Sequence, residues 1–361
     1  MQVKILSAGR TDIGQQRDSN QDQFLIADLH KSLLVNDSSL KLDCQARMFG
    51  SSLGRLLMVA DGMGGHQAGS RASLLAIDLL INQLVNGMRW PTQVSADEEE
   101  RFVGDLKQLF ETAHKLIVRE SETHPEMRGM GTTLTMAYII WPLMYVVHVG
   151  DSRCYLIHND VPQQLTRDHT LSSQLAEKGG ITAEQAESSR WSHVLYNALG
   201  AGGIEVTVEV QRVPLEIDDV IVLCTDGLYR HVTPAEISDV LLRELELGEA
   251  CRSLVDLANF RGGHDNITVV AARCLQAEAE QKPRTVVTTE MTLERALDGL
   301  SGFEPELGQN SVPPVEQEID TAEHIIAPSK AAPSKAAPSK AAPSNAAQRN
   351  AAPSNAAPGQ S

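Results

Sequence analysis

Five aspartates in this chain each adjoin an apolar run at a point marked by Gly, Asn or Ser. They stand in RDSNQDQFLIAD (Asp22), LMVADGMGGH (Asp61), YVVHVGDSR (Asp151), VIVLCTDGL (Asp226) and RGGHDNITVV (Asp265). Short Val, Leu and Ile runs bounded by Gly read as buried strands, so the pattern gathers these carboxylates at strand ends instead of scattering them over a surface. Converging carboxylates repel one another, and a hard divalent cation removes that cost. Ligation by oxygen alone favours Mg²⁺ or Mn²⁺ over Zn²⁺, which prefers His and Cys. Any single Asp-Gly is most often a turn and nothing more. Recurrence beside five apolar runs is what makes a candidate metal site.

Two details sharpen the pattern. In Asp61-Gly62 the glycine lets the backbone approach closely, so the carboxylate and the Gly62 carbonyl can face one ion. A carboxylate bridging two ions holds them about 3.5 to 4 Å apart, the spacing that activates a water and stabilises displacement at phosphorus. Arg17, five residues before Asp22 in a polar stretch, offers a guanidinium suited to a bidentate contact with phosphoryl oxygens.

Charge excludes some functions. With 31 basic and 47 acidic residues the chain carries −16, which opposes a general nucleic-acid surface and disfavours a two-metal nuclease. Five dispersed cysteines without a CxxC pair indicate a reducing compartment, and Cys154 and Cys224 read as buried apolar thiols. The N-terminus lacks a signal-peptide core, and the most apolar stretch, about Met136 to Val149, is too short to span a membrane and carries Pro142. The expectation is a cytoplasmic protein with no membrane insertion.

Strand patterns are expected at Val3–Ser7, Phe24–Ala27, Leu56–Ala60, Thr133–Ile140, Tyr145–Val149, Cys154–His158, Glu205–Val213, Val220–Cys224 and Asn266–Cys274. Helical blocks are expected at Ala72–Val85, Glu98–Arg119 and Pro234–Phe260. Strands grouped with strands, and helices with helices, predict an α+β fold: an antiparallel β-sandwich flanked by helices. Leu29–Gly54 is polar and poorly periodic and is expected as a surface loop. Leu171–Leu195 is a second excursion and a candidate lid. The catalytic domain is set at 1–276, a linker with a candidate short helix at 277–326, and a tail at 327–361. There the unit APSKA repeats, and its regular Pro and missing apolar face predict an extended, disordered chain.

The ordered segments GQQRDSNQD, VADGMGGHQAG, MGTTL, HVGDSR, LTRDHT, NALG, LCTDGL and GGHDNITVV resemble the metal-dependent protein phosphatases (PPM, type 2C), especially the bacterial serine/threonine members. The resemblance covers about residues 3 to 274. It implies hydrolysis of phosphoserine and phosphothreonine in proteins by a water activated at a binuclear Mg²⁺/Mn²⁺ centre. By motif position it implies that Asp61 bridges the ions, the Gly62 carbonyl binds one, and Asp22, Asp226 and Asp265 ligate directly or through water. Asp151 matches a carboxylate of a third, weaker metal, and Arg17 matches the phosphate-binding arginine. Thr132 and Thr133 read as core and turn support. A bacterial Ser/Thr kinase is the implied counterpart.

The chain also departs from the family. Many eukaryotic relatives have His after the Asp-Gly as a proposed general acid, where this chain has Met63; His66 is the nearest alternative. Cys224 to Arg230 fits a Cys-x5-Arg spacing, but Asp226 within that loop would repel a phosphate dianion and raise the thiol pKa. Ser52 in GSSLG leads into a strand pattern instead of a strand-to-helix elbow. A binding-class rival, a pseudophosphatase scaffold, is opposed by the presence of all five carboxylates and Arg17, and turnover of a phosphopeptide with Mn²⁺ discriminates the two.

Overall fold

The structure is a computed structural model that describes residues 3–34, 47–65, 67–86, 96–201 and 205–277. The expectations for His66, Cys44, the linker and the repeat tail lie outside these residues. The strands are β1 (Val3–Asp12), β2 (Gln23–Leu34), β3 (Arg47–Ala60), β4 (Gly62–Met63), β5 (Gly131–Thr132), β6 (Leu134–Ile140), β7 (Leu143–Val149), β8 (Arg153–His158), β9 (Val161–Gln164), β10 (Glu209–Pro214), β11 (Val220–Cys224) and β12 (Ile267–Gln276). The α-helices are α1 (Gln67–Asn86), α2 (Ala96–Thr123), α3 (Leu171–Glu177), α4 (Ala183–Glu187), α5 (Asp226–Tyr229), α6 (Pro234–Arg243) and α7 (Leu247–Phe260).

Two five-stranded sheets, ordered β1-β12-β11-β8-β9 and β10-β7-β6-β3-β2, form the sandwich, and every pair in them is antiparallel. Both faces of the central strands are covered, which is why they read as continuous apolar runs and not as alternations. Leu57 and Val59 of β3 and Ile221 and Leu223 of β11 meet between the sheets. Their neighbours face outward: Leu56 and Met58 join the core of α1 and α2, and Val220 and Val222 join that of α6 and α7. The helices present matching stripes at helical spacing, Ala72, Ala76, Leu80 and Leu84 in α1 and Cys251, Leu254, Val255 and Ala258 in α7.

Two expected segments differ in kind; elsewhere only bounds shift, as in β10, which starts at Glu209 and not at Glu205, and β1, which runs on to Asp12. Leu29–Gly54 is not a loop throughout: β2 runs on to Leu34 and β3 begins at Arg47, with Leu34 paired to Arg47. β6 pairs with β3 only from Arg55 onward, so the extension is a two-stranded ribbon beyond the sandwich, where no opposing layer demands apolar alternation. Residues 35–46 lie outside the described ones. Pro234–Phe260 is two helices, because Arg273 donates to the carbonyls of Leu241 and Glu244 and so holds the end of α6. The block starts at Pro234 as expected, with a capping box between Thr233 and Glu236 and Pro234 in the first turn.

Candidate active site

Every aspartate singled out in the sequence sits at one end of the sandwich. Asp61 follows β3, Asp151 follows β7 and Asp226 follows β11, while Asp22 precedes β2 and Asp265 precedes β12. Antiparallel pairing explains the convergence, since the end of β11 lies beside the start of β12 and the end of β3 beside the start of β2. The expected strand-end clustering is therefore what the fold produces.

Asp22 is 2% exposed. Its Oδ2 accepts hydrogen bonds from Thr225 Oγ1 at 2.8 Å and Thr268 Oγ1 at 2.7 Å, while its buried Oδ1 has no partner. Asp226 repeats the arrangement: Oδ2 accepts from Arg230 Nε at 2.8 Å and buried Oδ1 is unpartnered. Burial, followed by the charges of Asp22, Asp226, Asp151 and Asp265, pushes the Asp61 carboxyl well above its ordinary pKa. Asp61 itself is half-buried. Burial is also the main reason Asp22 is raised to about 7 and Asp151 to about 8; hydroxyl donors oppose it at Asp22, and Arg230 and Arg153 oppose it at Asp151.

Among the described residues no three His, Cys, Asp or Glu side chains already close on one point as a finished cage. Two of the carboxylates are each paired with an arginine through one oxygen: Arg17 Nη2 is 2.6 Å from Asp265 Oδ2, and Arg230 Nε is 2.8 Å from Asp226 Oδ2. The orphaned oxygens decide the fit. A buried acceptor without a donor costs about 1–3 kcal/mol, and this pair, in an all-oxygen set, suits a hard divalent cation. The residues present fit Mg²⁺ or Mn²⁺.

Support comes from residues the sequence reading passed over or valued only in part. Asp61 is braced by β5 and its flank: Thr132 Oγ1 and Thr133 N donate to its carbonyl, and its N–H donates to Thr133 Oγ1. That matches the support role expected for both threonines. Gly62 is required by crowding, because a Cβ there would stand 2.2 Å from the Gly69 carbonyl oxygen and 2.7 Å from that of Gln21. Asn266 accepts from Gln21 N–H and donates to the Ile13 and Ser19 carbonyls, tying the Arg17 loop to the start of β12. Thr225 and Thr268 were legible only as hydroxyls beside motif aspartates. Arg230 stood in view as the end of a Cys-x5-Arg spacing, but its partner is Asp226 and not a thiolate; burial pushes the Cys224 thiol up to about 12. Ser52 lies within β3, away from any strand-to-helix turn.

The remaining motif residues form a frame. Arg153 grips Asp168 through Nε and Nη2 at 3.0 and 2.7 Å, and the Tyr229 ring lies 3.7 Å beneath its guanidinium. His169 Nδ1 accepts from Gly150 N–H and Asn197 Nδ2, fixing the turn that carries Asp151. The candidate lid holds α3 and α4, anchored by a Thr170–Leu195 bridge, and its far end reaches Arg230 through Ser192.

A family model for protein phosphatase 2C matches residues 39–260. The chain is 37% identical over 215 residues to the serine/threonine phosphatase stp of Listeria innocua, covering 60% of this chain and 82% of that one. It is 32% identical over 285 residues to the protein phosphatase PhpP of Streptococcus pneumoniae, covering 78% of this chain and all of the relative. The crystal structure of the catalytic domain of the serine/threonine protein phosphatase PstP in complex with two manganese ions superposes with a TM-score of 0.59 at 29% identity, over 76% of this chain and 100% of that one. Motifs, sandwich and carboxylate cluster agree with these likenesses: the chain belongs to the protein phosphatase 2C family and is a serine/threonine protein phosphatase.

Proposed function

We propose that this phosphatase hydrolyses phosphoserine and phosphothreonine in proteins in one step, with two Mg²⁺ or Mn²⁺ ions held by Asp22, Asp61, the Gly62 carbonyl, Asp226 and Asp265. The observation that carries the reading is the pair of buried, unpartnered oxygens, Asp22 Oδ1 and Asp226 Oδ1, beside an Asp61 loaded by four like charges. When bound, the ions supply an activated water and screen the charge that grows at phosphorus.

The chain's own residues do the rest. Thr225 and Thr268 fix one oxygen of Asp22 so that the other keeps a constant direction. Thr132 and Thr133 fix the backbone of Asp61. Arg17, half exposed at the rim, binds Asp265 through one Nη and turns its remaining donors to a phosphoryl group. The chemistry needs no thiol, and Cys154, Cys224, Cys251 and Cys274 are all buried. The net charge of −16 favours phosphopeptides held by metals and Arg17 over nucleic acid. Opposition to a bacterial Ser/Thr kinase in the cytoplasm follows from the resemblance and the dispersed cysteines; none of the described helices is long and apolar enough to cross a membrane.

Chelation tests the reading. EDTA is expected to abolish hydrolysis of a phosphothreonine peptide and Mn²⁺ or Mg²⁺ to restore it; undiminished turnover after exhaustive chelation would rule the two-ion site out.

A further inference from the structure

Arg230 caps the C-terminal end of α5, one turn after Asp226. Its Nε donates to Asp226 Oδ2 at 2.8 Å, and Nη2 lies 3.8 Å from Asp151 Oδ2. The other side of the guanidinium faces the lid: Nη2 donates to the Ser192 carbonyl at 3.1 Å, Nη1 to Ser192 Oγ at 3.4 Å, and Nη1 stands 3.4 Å from His193 Nε2. The side chain is 22% exposed, and those of Asp226 and Asp151 only 13% and 7%. A second arginine nearby, Arg153, is spent on Asp168. One guanidinium thus spans two carboxylates and ties both to the end of the lid.

We infer that Arg230 is the resident third cation of this site, lying between Asp226 and Asp151, the carboxylate that the resemblance associates with a weaker metal, and that it latches the Ser192 end of the lid to the carboxylates. An ion entering beside Asp151 must displace the guanidinium from both carboxylates and from the Ser192 carbonyl, and the charge of the arginine repels it until it has done so. The arrangement leaves the two principal ions alone, since Arg230 uses Asp226 Oδ2 and the unpartnered oxygen is Oδ1. The tether is short because Asp226 and Arg230 are four residues apart on one helical turn. Arginine suits the post better than lysine, for only its planar fork reaches two carboxylates and a carbonyl at once.

The inference rests on the two-ion reading, and counting ions separates the two. Mn²⁺ is titrated calorimetrically into the full chain, and free Mn²⁺ is followed by electron paramagnetic resonance. The wild-type protein is expected to take two ions, and Arg230→Ala to take a third with affinity improved about tenfold or more. Arg230→Ala/Asp151→Asn is expected to return to two. Arg230→Gln, which keeps length and hydrogen bonding without charge, is expected to match Arg230→Ala and serves if the alanine variant fails to fold by circular dichroism. Trypsin is expected to cut after Arg190 faster in either charge-deleted variant. Three ions in the wild-type protein, one of them lost in Asp151→Asn, overturns this assignment and leaves the two-ion site intact, as does a count of two in both folded Arg230 variants. A wild-type protein that takes no ion overturns both.

Discussion

The carboxylate cluster and His148, which stands near the end of β7, are both polar and buried, yet their hydrogen bonding is completed in opposite ways. His148 is 1% exposed and both of its ring nitrogens have protein partners, Thr135 Oγ1 at 2.8 Å and the Arg167 carbonyl at 3.0 Å. A carbonyl only accepts, so Nε2 carries the proton and the threonine hydroxyl donates to Nδ1. Asp22 and Asp226, by contrast, each keep one buried oxygen that no protein donor reaches. The contrast teaches how to tell structural from functional burial. An orphaned atom is not the mark by itself, since His169 Nε2 and Asn259 Oδ1 are also buried without a hydrogen-bond partner; the mark is an orphaned oxygen on a buried carboxylate crowded by like charges, as at Asp22.

The largest expected effect lies on the functional side. Asp61→Asn is expected to lower kcat by about 10³-fold or more on a phosphothreonine peptide with saturating Mn²⁺, and more than Asp151→Asn does. In EDTA the same variant is expected to unfold at higher urea, by about 1 kcal/mol, because one of five mutually repelling carboxylates is gone. Lower metal-free stability in Asp61→Asn would erase the distinction between the regions.

The structural side should respond the other way. His148→Ala is expected to lose about 2–4 kcal/mol in urea melts, leaving the Arg167 carbonyl and a cavity behind, while kcat stays within about tenfold. A drop in kcat of the size expected for Asp61→Asn, with the variant still folded, would mark the histidines as part of the chemistry.

The His148 site also carries a pH signature. Burial, followed by the neighbouring His169, lowers its pKa from 6.5 to about 4. The unfolded chain takes up this proton near pH 6.5 and the folded chain only near pH 4, so between them the unfolded state holds more protons and stability falls as pH falls. The contribution reaches about 3 kcal/mol. It is measured as the difference between the wild-type protein and His148→Asn in urea midpoints at pH 7 and pH 4.5, and parallel shifts in the two proteins assign the pH dependence elsewhere.

Two smaller effects sharpen the boundary of the site. Arg17→Ala is expected to raise KM for a small phosphorylated substrate about tenfold, roughly 1.4 kcal/mol, with kcat little changed. A loss confined to kcat would move Arg17 into transition-state stabilisation. Truncation after Ala277, one residue past β12, is expected to change kcat/KM on a short peptide by less than about twofold, since every proposed ligand precedes it. A tenfold loss with folding intact would extend the catalytic domain beyond 1–276.

Much of this was legible in the sequence, for reasons that differ along the chain. Val220–Cys224 was readable to the residue because a strand covered on both faces is apolar throughout and stops at Thr225-Asp226. The β2–β3 ribbon was not, because a pair of strands outside the sandwich has no layer to impose a pattern. The edge strand β9, VPQQ, was missed because its outer edge needs no partner and so tolerates Pro and Gln. The break between α6 and α7 was hidden because its cause, Arg273, lies in another element.

What the sequence determined by itself was the family, the antiparallel α+β plan and the five aspartates, since each rests on short-range order: an apolar run, a small residue, a carboxylate. What the tertiary structure decided was which donors and cations each aspartate faces. Thr225 and Thr268 lie 203 and 246 residues from Asp22, and Arg17 lies 248 from Asp265. Those meetings depend on β12 standing between β1 and β11 in one sheet and on β2 of the other sheet packing beside them. That order is set by burial of both faces of every central strand at once, a condition on the whole chain that no local stretch of sequence carries.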